Sequence, residues 1–166
     1  MTGQPVRAVV AIGANLAEPA RQVEEAFLDL ARLPSTRVVA RSSLYRTAPV
    51  GAPGQPDYVN ACALLETSLA PRALLEALLA IERDHGRVRD IPNGARTLDL
   101  DIVLYGSAVI GEPGLAIPHP RAHERAFVLA PLADVWPDAR IPGHGDVATL
   151  LAAAAGQRIE RIRVVA

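Results

Sequence analysis

The chain has 166 residues, of which 50% are hydrophobic, and a formal net charge of −1. This is the length of one globular domain, so we expect residues 1–166 to form a single domain. The weak charge argues against a protein that collects nucleic-acid phosphates, and no apolar run reaches the roughly 18 to 20 residues of a membrane span. We therefore expect a cytoplasmic monomer without nucleic-acid or membrane partners.

Two residue types limit the possible chemistry. The single cysteine, Cys62, excludes an internal disulfide and lies in an apolar segment, which is typical of a buried, unreactive thiol. There is no lysine, so all 17 strongly basic side chains are arginine. Phosphate recognition would use guanidinium groups and backbone amides, and a Walker P-loop, which needs a lysine, is excluded.

The first half of the chain predicts strands around one helix. A short apolar run over 7–13 predicts a buried strand that ends at Gly13. From Pro19, apolar residues at helical spacing predict an amphipathic helix that Pro34 stops. The runs 37–47 and 58–67 are rich in strand-forming residues, and the Pro- and Gly-rich segment between them predicts a loop.

The second half continues the alternation. Residues 70–85 predict a second helix ended by Gly86, and a polar loop over 87–96 precedes a strand over 97–105. A short apolar piece, a helix over 123–132, a last helix over 146–155 and a final strand over 158–165 follow. The order β-α-β-β-α-β predicts an α+β fold, a ferredoxin-like sandwich with an antiparallel sheet and extra C-terminal elements.

The strand over 97–105 carries the most informative pattern. Side chains alternate along a strand, so Asp99 and Asp101 share one face with Thr97 and Val103. Four apolar residues share the other face: Leu98, Leu100, Ile102 and Leu104. The two carboxylates, about 6–7 Å apart at Cα, are either solvated acids or ligands of a cation, and hard oxygen ligands favour Mg²⁺.

Arginines flank this acid pair in the sequence. Phosphoryl transfer uses metal ions that bridge phosphate oxygens and cationic donors that stabilise developing negative charge. Each arginine taken alone is also a candidate for a solvated surface residue, but the combination favours a phosphoryl-transfer site. The flanking residues are Arg87, Arg89, Arg96, Arg121 and Arg125.

Several segments together resemble the hydroxymethyl-dihydropterin pyrophosphokinase family. The resemblance covers nearly the whole chain in the same order, and Arg96-Thr-Leu-Asp-Leu-Asp101 is its most specific part. It implies transfer of pyrophosphate from ATP to 6-hydroxymethyl-7,8-dihydropterin in folate biosynthesis, giving the pterin diphosphate and AMP. The other segments are Asn15-Leu16, Ser43-Leu-Tyr-Arg-Thr47, Gln55-Pro-Asp-Tyr-Val-Asn60, Gly86-Arg-Val-Arg89, Pro118-His119 and Glu124-Arg-Ala-Phe-Val-Leu129.

The same resemblance implies a set of site residues. Asp99 and Asp101 would coordinate two Mg²⁺ ions on the ATP phosphates, with Arg87 and Arg96 as the other catalytic residues. The implied ATP-binding residues are Glu82, Arg89, Arg96, Ile102, His119 and Arg125. The implied pterin-binding residues are Thr47, Ala48, Val50, Tyr58, Asn60 and Phe127.

Other classes of protein fit parts of the pattern. An RNA-binding module of this fold would need exposed aromatic side chains and a basic face where this sequence predicts two aspartates. A non-catalytic small-molecule-binding domain would share the architecture without a use for two carboxylates on one face. His119 and His123 have a spacing that can hold zinc on a helix, but Pro120 disfavours a helix through His119.

Overall fold

The computed structural model describes residues 4–15, 18–47, 57–86 and 98–162. The helices are α1 (Pro19–Ala31), α2 (Pro71–Asp84), α3 (Ala126–Val135) and α4 (Val147–Ala153), and a 3-10 turn over Ala122–Glu124 precedes α3. The strands are β1 (Val6–Ala14), β2 (Thr36–Arg41), β3 (Leu44–Thr47), β4 (Tyr58–Thr67), β5 (Asp99–Tyr105), β6 (Ile110–Glu112), β7 (Leu115–Ile117), β8 (Arg140–Ile141), β9 (Gly145–Asp146) and β10 (Glu160–Ile162).

The main sheet is antiparallel and has the strand order β10-β3-β4-β1-β5, with β2 paired to β4 beside β3. If β2 and β3 are counted as two parts of one strand, the order is β-α-β-β-α-β with β5 next to β1. This is the ferredoxin-like arrangement, so the predicted fold class is confirmed. The extra C-terminal elements are the hairpins β6–β7 and β8–β9, the helices α3 and α4, and β10.

Helices cover both faces of the sheet. On one face α1 and α2 form a first core with the strands, and on the other face α3 and α4 form a second core. Strand β4 is almost continuously buried, as expected for a strand covered on both sides. Among the described residues, no helix is long and apolar enough to cross a membrane. The helices contribute Val23, Phe27, Leu30, Leu74, Leu78 and Ile81 to the first core, and Leu129, Leu132, Val135 and Val147 to the second.

The strand predicted over 37–47 is divided at Ser42 and Ser43, so the prediction of one continuous strand is wrong. The Ser42 hydroxyl accepts a hydrogen bond from the backbone N–H of Cys62 at 2.9 Å. The backbone N–H of Ser43 donates to the carboxylate of Asp134 at 3.2 Å instead of to a neighbouring strand. The two serines thus satisfy the backbone at the break and allow the chain to change direction between β2 and β3.

A β-bulge in β5 changes the predicted facing of its last residues. Val10 pairs with Ile102 while Val9 pairs with Leu104, so Val103 is an extra residue in the register. Val103 and Leu104 therefore both belong to the second core. Strict alternation holds through Ile102, but the prediction that Leu104 shares the face of Ile102 is wrong.

The predicted ends of several C-terminal elements also shift. The helix expected over 123–132 is the 3-10 turn followed by α3, and the apolar piece after Gly106 forms the hairpin β6–β7. Asp146 is the N-cap of the last helix, because its carboxylate accepts a hydrogen bond from the backbone N–H of Thr149 at 3.0 Å. The final strand is confirmed over Glu160–Ile162, and residues 163–166 lie outside the described part of the chain.

Tyr45 joins β3, α3 and β10 near the β10 edge of the sheet. Its hydroxyl donates to the Asp134 carboxylate of α3 at 2.7 Å and accepts from the Arg161 guanidinium of β10 at 2.9 Å. Burial is the main cause that raises the pKa of Tyr45, so the hydroxyl stays protonated and remains a donor at neutral pH. This cluster holds the start of β3 and the end of the described chain against α3.

Removal of this hydroxyl should lower the free energy of unfolding. We expect Tyr45→Phe to cost about 2 kcal/mol, because hydrogen bonds to charged partners contribute more than neutral ones. Tyr105→Phe is the matched variant, because the hydrogen bond described for the Tyr105 hydroxyl has an uncharged acceptor. This hydroxyl donates to the backbone oxygen of Leu69 at 2.7 Å. That loss should cost about 1 kcal/mol. Urea denaturation of both variants checks the order, and a Tyr45→Phe cost below that of Tyr105→Phe would contradict this account.

Candidate active site

Asp99 and Asp101 both lie half-buried on the same face of β5. In the register with β1, Asp99 pairs with Gly13 and Asp101 pairs with Ala11. Ala11 packs against the second core, so this face of the sheet is the one that α3 covers. The alternation predicted from the sequence is confirmed here, because Leu100 and Ile102 are buried in the first core on the opposite face.

Small residues on β1 separate the acid pair from β4. Gly13 pairs with Asp99 on one side and with Asn60 on the other. A Cβ atom at Gly13 would stand only 3.1 Å from Oδ1 of Asn60, so a larger residue would press on that amide. With two strand spacings between them, Asn60 and Asp99 are about 10 Å apart across the sheet. Gly13 and Ala11 therefore form a floor of small residues between an amide and a carboxylate.

The sequence prediction overlooked Gly13. The strand was expected to end there, whereas β1 continues to Ala14. A glycine inside a strand often marks a site where another group approaches the backbone closely, and that signal was available in the sequence.

Among the predicted pterin-binding residues that the structure describes, Asn60 is held by a buried hydrogen bond. Its side chain is 7% exposed and its Nδ2 donates to the hydroxyl of Thr47 at 2.9 Å. Thr47 pairs with Tyr58 in the β3–β4 register, and Tyr58, two residues before Asn60, lies on the same face of β4. The structure therefore brings Thr47, Tyr58 and Asn60 together at one end of the floor.

His119 and Arg125 interact electrostatically with the acid pair. The backbone N–H of His119 donates to the carbonyl of Val103 at 3.2 Å, which fixes the segment after β7 against β5. Burial, then the positive charge of Arg125 and Arg121, lowers the pKa of His119, while Asp99 opposes the shift. Burial and Arg121 likewise lower the pKa of Arg125, and Asp101 opposes this shift. His119 and Arg125 are therefore near enough to the acid pair to interact with it electrostatically.

Phe127 stands at the start of α3, near the floor. Its ring is half-buried, and the guanidinium carbon of Arg125 lies 5.4 Å from the ring centre. The carbonyl oxygen of Val128, the residue after Phe127, is 3.8 Å from the sulfur of Cys62. Cys62 lies on β4 and pairs with Ala11 of β1. Cys62 is buried as predicted, and burial raises the pKa of its thiol. Phe127 therefore places an aromatic face beside the Arg125 guanidinium.

Glu82 and Ile102 lie at the outer edge of β5. The Glu82 carboxylate accepts a hydrogen bond from the backbone N–H of Leu100 at 2.7 Å. Backbone groups alternate in direction along a strand, so Ile102 also presents its amide away from β1. This supports the expected role of the Ile102 backbone at the nucleotide, which stays a prediction, as does a direct nucleotide contact of Glu82.

Five predicted site residues lie outside the described residues: Arg87, Arg89, Arg96, Ala48 and Val50. Their roles stay predictions. In the ranges that the structure does describe, no group of three or more His, Cys, Asp and Glu side chains could hold a metal ion. The ring of His123 stacks on that of His144, with the ring centres 3.6 Å apart.

A cavity of about 640 Å³ lies elsewhere, between α1 and the end of α2. His85 lines it and is held by Gln22 at 2.5 Å and by Asp29 at 2.8 Å. None of the predicted site residues lines this cavity. The candidate active site is instead the floor, with Asp99, Asp101, His119 and Arg125, on the α3 side of the sheet.

His119 should titrate below its ordinary pKa of 6.5 in the ligand-free protein. The folded state then binds fewer protons than the unfolded state, so this group's stabilisation is complete above pH 6.5 and decreases as pH falls towards the lowered pKa. Nuclear magnetic resonance of the histidine ring protons, assigned with His119→Gln, measures the midpoint. Arg125→Gln should move the midpoint upwards, and an unchanged midpoint in that variant would contradict the placement of Arg125.

Comparisons with known proteins identify the family of this chain. A sequence model described as 7,8-dihydro-6-hydroxymethylpterin-pyrophosphokinase matches residues 9–137. The 2-amino-4-hydroxy-6-hydroxymethyldihydropteridine pyrophosphokinase of Pseudomonas aeruginosa is 51% identical over 156 residues, covering 94% of this chain and 96% of the relative. The enzyme of the same name from Haemophilus influenzae is 42% identical over 146 residues, covering 88% and 91%.

A solved structure supports the fold alone. The Plasmodium falciparum HPPK-DHPS structure with SDX-DHP aligns with a TM-score of 0.71 at 14% identity. The alignment covers 90% of this chain and 44% of the Plasmodium chain, so the present chain spans less than half of that protein. The match of the family model, together with the extent and identity of the bacterial relatives, shows that this chain belongs to the 7,8-dihydro-6-hydroxymethylpterin-pyrophosphokinase family.

Proposed function

We propose that this protein transfers the diphosphate group of ATP to the hydroxymethyl group of 6-hydroxymethyl-7,8-dihydropterin, giving the pterin diphosphate and AMP in folate biosynthesis. The observation that carries the proposal is the half-buried pair Asp99 and Asp101, with His119 and Arg125 beside it. The names of the two bacterial relatives support the choice of substrate.

We assign two Mg²⁺ ions to Asp99 and Asp101. The side chains fit such ions because they offer hard oxygen ligands on one face, and the nearby Arg125 guanidinium cannot itself bind a cation, which leaves the other coordination positions to phosphate oxygens. When bound, Mg²⁺ would neutralise phosphate charge and make the pterin hydroxyl a better nucleophile.

His119 and Arg125 would bind the phosphates. The lowered pKa of His119 means that the neutral ring is present at pH 7. The backbone N–H of Arg121 donates to Nδ1 of His119 at 3.3 Å, so the ring proton of the neutral form is on Nε2 and can be donated to a phosphate oxygen. Arg87, Arg89 and Arg96 are proposed as further phosphate ligands on the resemblance alone.

The floor over Gly13 and Ala11 would hold the pterin ring. Asn60 uses one of its two N–H groups on Thr47, and its Oδ1 lies above Gly13, so the amide can pair with the edge of the heterocycle. Tyr58 and Phe127 would supply the stacking faces. The backbone of Ala48 and Val50, with Thr47, completes the proposed recognition.

The reaction is then an in-line displacement. The pterin hydroxyl oxygen forms a bond to the β-phosphorus while the bond from that phosphorus to the α–β bridging oxygen breaks, and AMP leaves. The hydroxyl proton passes to solvent. Positioning of the two substrates and electrostatic stabilisation by the surrounding cations account for catalysis without a strong general base.

An assay for AMP tests this proposal. The protein with ATP and Mg²⁺ should release AMP only when the pterin alcohol is present, and the amount should equal the pterin consumed. ADP in place of AMP, or AMP release that does not depend on the pterin, would contradict it. The cytoplasmic location, the single domain, the monomeric state and the expected lack of nucleic-acid partners stay predictions.

A further inference from the structure

Glu82 is a charged side chain at a buried position. It belongs to α2, where its neighbours on the same face, Leu78 and Ile81, pack in the first core. The residue is only 1% exposed. A carboxylate loses much of its hydration at such a position, so a buried Glu persists only where strong hydrogen-bond donors compensate it.

One of those donors belongs to the backbone of the strand that carries the acid pair. Oε2 of Glu82 accepts the N–H of Leu100 at 2.7 Å, which is the short distance of a charge-assisted hydrogen bond. Leu100 is the residue between Asp99 and Asp101. In the part of the chain that the structure describes, β1 is the only strand paired with β5. The outward N–H of an edge strand needs a partner when it is buried, and the helix supplies one.

The position of the acid pair follows from this bond. The peptide of Leu100 is part of the short backbone link that joins the Cα atoms of Asp99 and Asp101. Rotation or outward movement of that peptide would change the direction of both carboxylates. Displacements of about 1 Å at reacting groups can cost a hundredfold in rate.

We propose that Glu82 is a positioning residue, which fixes the Leu100 peptide and thereby holds Asp99 and Asp101 in the arrangement that binds the metal ions. The inference rests on the proposed function for the role of the two aspartates. In this proposal Glu82 acts on the aspartates through the backbone of β5, whereas the family resemblance implies that Glu82 contacts the nucleotide.

Two substitutions separate the hydrogen bond from the charge. Glu82→Gln removes the charge but keeps a carbonyl oxygen at the same reach, so it can still accept from Leu100. Glu82→Asp keeps the charge but is one methylene shorter. The exposed Glu76 on the same helix provides matched controls, Glu76→Gln and Glu76→Asp.

The first measurement needs no activity. Amide hydrogen exchange at Leu100, followed by nuclear magnetic resonance, should be slow in the wild type and in Glu82→Gln. In Glu82→Asp it should be at least about tenfold faster, because the bond is lost, while both Glu76 variants match the wild type. Equal exchange in the two Glu82 variants would overturn the first step of the inference, whether or not the protein transfers diphosphate.

The second measurement connects the bond to the metal site. Titration with Mn²⁺ and a non-hydrolysable ATP analogue, read by electron paramagnetic resonance, should show weaker metal binding in Glu82→Asp than in Glu82→Gln. The turnover rate should fall by up to about a hundredfold in Glu82→Asp and by less than about fivefold in Glu82→Gln, with the KM for the pterin little changed. A Glu82→Gln variant as impaired as Glu82→Asp, or more so, would mean that the charge itself acts on the nucleotide, and the positioning role would be wrong. If the wild type proves inactive, the exchange and Mn²⁺ data still decide the positioning role, so the two failures are distinguishable.

Discussion

Replacement of Asp99 or Asp101 by asparagine should lower kcat by at least about a thousandfold, equivalent to about 4 kcal/mol of transition-state stabilisation. Both carboxylates lie half-buried on one face of β5, near the neutral ring of His119 and the guanidinium of Arg125. An amide is a weaker ligand for Mg²⁺ than a carboxylate, so either change removes much of the electrostatic support for the phosphates. Initial-rate measurements at saturating ATP and pterin give the effect.

The fold should survive these substitutions, because asparagine has nearly the same shape and removes repulsion between two like charges. Urea denaturation should therefore give free energies of unfolding equal to or above that of the wild type. Asp138→Asn is the matched control, since Asp138 is exposed in the turn after α3 and should keep full activity. Retention of more than a tenth of the wild-type rate by both Asp99→Asn and Asp101→Asn would sink the metal assignment.

Phe127→Ala should raise the dissociation constant of the pterin by about thirtyfold to a hundredfold while that of ATP changes by less than about fivefold. The loss corresponds to about 2 to 3 kcal/mol for an aromatic face removed from a stacked heterocycle. A small effect on ATP is expected because the Arg125 guanidinium rests near this ring, 5.4 Å from its centre. Calorimetry with each ligand separately measures both affinities.

Phe127→Leu is the control for damage to the second core, which the Phe127 side chain also contacts. Leucine keeps an apolar side chain there but has no aromatic face, so it should restore the stability of the alanine variant without restoring pterin affinity. Asn60→Ala should show the same selectivity for the pterin. Equal losses of pterin and ATP affinity in Phe127→Ala would show that the ring serves the core and not the pterin.

The sequence predicted the parts of the site that follow from local periodicity. Alternation along β5 placed Asp99 and Asp101 on one face, and the same rule placed Tyr58 beside Asn60. The helices α1 and α2 were predictable because their apolar residues recur at helical spacing. These features depend only on neighbours in the chain.

Features that depend on pairing between distant segments were not predictable in this way. The bulge at Val103 arises from the register with β1, and no local signal in β5 marks it. The floor at Gly13 depends on the strands that flank β1 on both sides. Similarly, the hydrogen bond from Leu100 to Glu82 joins a strand to a helix, and periodicity predicts both elements but not the contact between them.

The identity of the products tests the central claim most directly. The protein is incubated with Mg²⁺, the pterin alcohol and ATP that carries an isotopic label in its β- and γ-phosphates. The products and their labels are then identified by mass spectrometry. This account predicts unlabelled AMP and a pterin that carries both labelled phosphates, in equal amounts. Labelled ADP together with a pterin monophosphate would show attack at the γ-phosphorus and would contradict the account.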